Sequence, residues 1–150
     1  PLIQEHPSYQ GYLSQRRNEI AERSEIIAQY LKDLPFVTFN KTNGAFYNTI
    51  VFKEGTLNNN QKLNIENPKT KALAESWVER IGEPDKRFVY YLLAAKGVCV
   101  VPLSSFQSEL RGFRITLLEE NNEVLHETFS KIADAINEFC TSDIQEPIVA

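Results

Sequence analysis

One side chain in this sequence combines the chemistry and the mounting needed to grip an anion: Arg114, within the run Gly112-Phe113-Arg114-Ile115-Thr116-Leu117-Leu118-Glu119. A guanidinium is a planar fork of donors that matches a carboxylate at two points and stays charged at any working pH. Phe113, Ile115 and Leu117 alternate with Arg114, Thr116 and Leu118, which is the period of a strand, so Arg114 is expected to point away from the Phe113 face. The competing reading is a surface arginine paired with Glu109 or Glu119, and residue chemistry taken alone favours it.

The other reactive side chains give weaker patterns. His6 and His126 lie far apart, with no soft ligand four residues from either; a zinc site is not expected and both read as solvated. Cys99 falls in the apolar run Val98–Val101 and reads as core packing, because a thiolate is disfavoured there. Ser104 and Ser105 lack a G-x-S-x-G turn and a base at a recognisable spacing. The six glycines are scattered, without a G-x-G-x-x-G or a P-loop, so nothing is expected to cradle a phosphate.

Composition narrows the class. A chain of 150 residues can bury about 68–70% of its unfolded surface in one core. A net charge of −4 and a pI near 5.3 leave no basic footprint, so neither nucleic acid nor an anionic membrane is an expected partner. No apolar run approaches the roughly 20 residues of a membrane helix, and the first ten residues carry no signal pattern. Cys99 and Cys140 do not make a disulfide framework, which fits a reducing, cytoplasmic compartment. Proline at position 1 and the absence of methionine read as an excised piece of a longer protein.

The elements that must position Arg114 follow from periodicity and breakers. Val98–Val101, bounded by Gly97 and Pro102, suits a short buried strand, with a serine-rich loop leading to the strand of Arg114. Earlier, a long helix is expected from a cap at Ser8 to Pro35, with Leu13, Ile20, Ile27, Tyr30, Leu31 and Leu34 on its apolar side and Gly11 weakening its first turns. Phe36–Phe39 and Ala45–Phe52 read as an antiparallel pair joined at Asn43-Gly44, with Phe46 and Tyr47 on opposite faces. The asparagine-rich segment 54–68 is expected to be an exposed loop and the most mobile region.

Two helices are expected over Thr70–Arg80 and Lys86–Lys96. Leu73, Trp77 and Val78 form the core stripe of the first, and Val89, Leu92 and Leu93 that of the second. A last helix, capped by Asn121 or Asn122, carries Leu125, Phe129, Ile132, Ile136 and Phe139. Residues 141–150 read as a frayed tail. The order helix, strand, strand, helix, helix, strand, strand, helix gives an α+β fold, a two-layer sandwich in which a small, mostly antiparallel sheet is packed by helices.

The run Gly97-Val98-Cys99-Val100-Val101-Pro102, a Ser/Phe loop and Gly112-Phe113-Arg114-Ile115-Thr116-Leu117-Leu118-Glu119 together resemble the C-terminal small domain of class I/II, fold-type I pyridoxal-phosphate aminotransferases, nearest to the alanine aminotransferase-like branch. Gly44-Ala45-Phe46-Tyr47, following Leu34-Pro35-Phe36-Val37, is similar to the same family, and the likeness reaches about Cys140. By this resemblance, residues 1–34 form an interdomain-type helix and 35–140 the small domain, with 141–150 a tail. One departure stands out. The family's loop is similar to P-G-x-x-F-G, whereas here Leu103 and Gln107 replace both glycines, and neither residue adopts positive φ freely.

The resemblance implies that Arg114 holds a substrate α-carboxylate. It also implies a parent enzyme, a homodimer, that transfers an amino group from an amino acid to a 2-oxo acid. Such chemistry needs pyridoxal phosphate, a lysine to bind it, an acidic partner for its ring nitrogen and a phosphate cup. None of the nine lysines lies in a matching motif. The cofactor and the catalytic lysine are therefore expected on a missing large domain, no metal is expected, and the piece alone is expected to be inactive. Two alternatives share these residues: the small domain of a carbon–sulfur lyase or another elimination enzyme, and a stand-alone binding domain of the same fold.

Overall fold

The computed structural model describes residues 6–42 and 44–143. Helix α1, Tyr9–Leu31, leads into strands β1, Val37–Phe39, and β2, Tyr47–Phe52. Helices α2, Pro68–Val78, and α3, Pro84–Lys96, follow. The short strand β3, Val101–Pro102, runs directly into a 3-10 turn, Leu103–Phe106; strand β4, Gly112–Thr116, and helix α4, Asn122–Thr141, complete the order. The fold is α+β, with four antiparallel strands in the order β1-β2-β4-β3.

The termini of the helices are set by local chemistry. Asn67 accepts from the backbone N–H groups of Lys69 and Thr70 and precedes Pro68 at the first turn of α2, which satisfies donors that a helix start leaves free. Asn121, rather than Asn122, does the same for α4 through the N–H groups of Glu123 and Val124. Gly97 ends α3 in the left-handed region at φ 71°, where a Cβ would be strained. Ser8 occupies the cap position of α1 but its side chain makes no capping bond. Gly11 does not interrupt that helix.

One face of the sheet is covered and the other is open. Val37, Ile50, Phe52, Phe113, Ile115 and Leu117 are buried beneath the helices. Phe88 of α3 sits at their centre, with ring centroids 4.9 Å from Phe52, 5.5 Å from Phe113 and 5.5 Å from Phe139 of α4. Each such ring contributes about 1.5–3 kcal/mol by leaving water, so α3 and α4 are fixed over β2 and β4. The expected α4 stripe is buried in full. On the opposite face Thr38, Tyr47, Thr49, Val101 and Thr116 are exposed. No helix of the described residues is long and apolar enough to cross a membrane.

Several expectations are corrected. Trp77 is 40% exposed, its ring tilted against Tyr90 at 5.4 Å, and Leu73 and Leu93 are exposed as well. The core side of α2 is made by Ala74 and Val78, because α2 packs on α3 alone and one flank is enough. Cys99 is exposed in the coil before β3, and Cys140 is the buried thiol; the regular strand is only Val101–Pro102. Phe46 and Tyr47 are both exposed, with centroids 4.5 Å apart.

The segment 54–67 makes no ladder, yet it is not uniformly solvated. Gln61, Leu63 and Ile65 are buried. The Asn58 amide donates to Asp143, and the Lys62 N–H to the Ser142 hydroxyl. Leu63 and Ile65, spaced two apart inside a polar run, join the core, and these two hydrogen bonds fasten the loop beyond the end of α4. Asn43 lies outside the described residues; beyond it the positive φ falls at Ala45, φ 59°, and not at Gly44. The expected frayed tail beyond Asp143 also lies outside them.

Candidate functional site

Arg114 is the middle residue of β4, opposite Thr49 on β2 and Val101 on β3. It stands on the open face because Phe113 and Ile115 face the helices. Its Cζ lies 4.1 Å from the centroid of Phe106 and 4.5 Å from that of Tyr47. Both distances are well inside the roughly 6 Å reach of a cation–π contact, which adds about 0.5–2 kcal/mol depending on solvation. The rings therefore hold the cation without consuming its N–H donors.

The local pairing with a carboxylate is not formed. Among the described residues Arg114 makes no ion pair and no side-chain hydrogen bond to protein, and the Glu119 carboxylate instead accepts from the Asn121 N–H at 2.8 Å. The guanidinium is half-buried on the uncovered sheet face, and its fork of donors has the shape that pairs with a planar anion at two points.

The loop that delivers Phe106 begins at Pro102 and tightens at once into the 3-10 turn, with Leu103 buried as its anchor. Gln107 closes the turn at φ 58°, ψ 27°. Glutamine thus occupies the left-handed conformation that the resembling loop assigns to a glycine, at a cost of about 1–2 kcal/mol. Leu103 needs no such conformation. Gln107 therefore takes the conformation in spite of its Cβ, and Leu103 is not asked to.

Three contacts that periodicity could not disclose complete the arrangement. Tyr47 and Phe106 come from distant segments: the β2–β4 register, Tyr47 opposite Thr116, brings in the first, and the β3–β4 pairing with the turn that follows β3 brings in the second. Arg23 of α1, 5% exposed, donates from Nη1 to the Leu117 carbonyl at 2.9 Å, tying the long helix to the end of β4. Gly112 brings β4 against β2 so closely that a Cβ would sit 2.1 Å from the Ile50 carbonyl oxygen.

Cys99 lines the same shallow cavity as Arg114, and Ser104 and Ser105 lie in the turn that carries Phe106; the histidines and Cys140 make their contacts elsewhere. His126 is exposed, as expected, and its Nδ1 shares a hydrogen bond with the Tyr30 hydroxyl at 2.9 Å. His6 Nδ1 accepts from the Ser8 N–H. Burial, and then Asp143, push the Cys140 thiol up to about 12. No three potential metal ligands cluster among the described residues.

No family model matches the chain. It is 46% identical, over 139 residues, to a protein of Methanocaldococcus jannaschii named as an uncharacterized aminotransferase. The chain is related to a protein bearing an aminotransferase name. The match takes in 93% of this chain and 32% of the relative, so the chain spans about a third of that protein's length.

Proposed function

We propose that this chain is the substrate-carboxylate-binding small domain of a pyridoxal-phosphate-dependent aminotransferase of fold type I. The reaction of the complete enzyme transfers an amino group from an amino acid to a 2-oxo acid. The observation that carries the reading is Arg114, clasped by Phe106 and Tyr47 with its donors free on the uncovered sheet face. Both substrates of a transamination bear a carboxylate beside the reacting carbon, and one bidentate fork serves either.

We place pyridoxal phosphate itself outside this chain. Lys41, Lys71, Lys86, Lys96 and Lys131 are ion-paired with glutamates, and no lysine lies in a strand beside Arg114. The cofactor and the groups that react through it are assigned to the rest of the longer protein. What this chain contributes is orientation: a carboxylate fixed at two points leaves its neighbouring carbon little freedom.

Arg114→Lys in the complete enzyme tests the reading. A point charge cannot reproduce two parallel N–H bonds, each about 1.5–3 kcal/mol for a charged pair. KM for both substrates is expected to rise more than about tenfold. Unchanged KM values would remove the carboxylate role.

A further inference from the structure

Asp85 is fully buried, and among the described residues no cation pairs with it. A carboxyl group out of water is costly unless its oxygens are bonded. Here the bonds go to backbone. Oδ1 accepts from its neighbour's N–H, Lys86, at 3.0 Å, and Oδ2 accepts from the N–H of Ser104 at 2.9 Å, 19 residues away. The first bond belongs to the start of α3. The second does not: it crosses to the 3-10 turn and fixes it to a helix that is itself locked into the core through Phe88.

Ser104 lies two positions before Phe106, inside the same turn. A turn this short moves as a unit, so the bond at Ser104 sets the height of the Phe106 ring over the Arg114 guanidinium. The turn has few other ties. Beyond its own internal bonds, Leu103 is its buried anchor, while Phe106 is 45% exposed and the Ser104 hydroxyl is buried with no partner. We infer that Asp85 is a positioning residue for the carboxylate site, acting through Ser104 and Phe106 on Arg114. The inference rests on the function proposed for Arg114.

The complete enzyme carries the test, with Arg114→Lys measured beside Asp85→Ala and Asp85→Asn. Asp85→Ala removes both acceptors, and KM for the amino acid and the 2-oxo acid is expected to rise about tenfold with kcat changed less than about twofold, the pattern of lost ground-state binding. Asp85→Asn keeps one acceptor oxygen and is expected to lie between Asp85→Ala and the unaltered enzyme. A residue that only starts α3 would lower Tm and leave KM alone. Should Asp85→Ala fail to fold, Asp85→Asn carries the measurement. Raised KM in a folded Asp85 variant supports the inference; unaltered KM alongside a raised KM in Arg114→Lys overturns it. If Arg114→Lys itself leaves KM unaltered, the carboxylate reading falls and takes this inference with it.

Discussion

Phe106 covers Arg114: the ring of a residue in the 3-10 turn stands 4.1 Å from the Cζ of a residue in the central strand β4, and the Tyr47 ring stands 4.5 Å from the same atom. The cation is thereby held in place while its N–H groups stay free for an anion. Holding by rings instead of by a carboxylate matters for the proposed role, since a local Glu partner would compete with any incoming anion for the same donors.

Removing one ring should loosen the cation without removing its charge. Phe106→Ala in the complete enzyme is expected to raise KM for the amino acid about three- to tenfold, the equivalent of a cation–π contact of roughly 1 kcal/mol. Phe106→Tyr should keep KM near that of the unaltered enzyme. Steady-state kinetics with both substrates checks this.

Gln107 lies in the left-handed region at φ 58°. Glycine there removes the Cβ strain of about 1–2 kcal/mol but adds unfolded-state freedom worth about 0.4–1. Gln107→Gly should therefore stabilise the fold by about 0.5–1 kcal/mol, read as a higher urea midpoint at an unchanged slope.

At Gly112 the effect runs the other way. An alanine methyl would meet the Ile50 carbonyl oxygen at 2.1 Å, and that atom belongs to the paired strand. Gly112→Ala should force β2 and β4 apart and destabilise by about 1–3 kcal/mol, seen as a drop in Tm.

The two thiols should separate cleanly. Cys99 is exposed and Cys140 is buried, its thiol pushed up to about 12 by burial and Asp143. Ellman's reagent at pH 8 should titrate Cys99 promptly in the folded chain and Cys140 only after denaturant is added, because the thiolate is the reactive form. Equal rates at the two sites would contradict the burial described.

Much of this arrangement can be read from the chain by itself. Alternation across Phe113–Leu118 puts Arg114 opposite the core face, the three-and-four spacing of Leu125–Phe139 defines the buried side of α4, and the Asn121-Asn122 pair and Gly97 mark helix ends; all are local regularities of a few residues. Tertiary structure decided the rest. Trp77 and Cys99 belong to apolar runs yet stand exposed, because apolar spacing specifies which residues share a face and not whether another layer covers it. The same reason applies to Arg114. Its direction is written in the strand period, whereas its two aromatic neighbours, its freedom from Glu119 and the hold of Asp85 on the adjoining turn arise from register and packing between segments far apart in sequence.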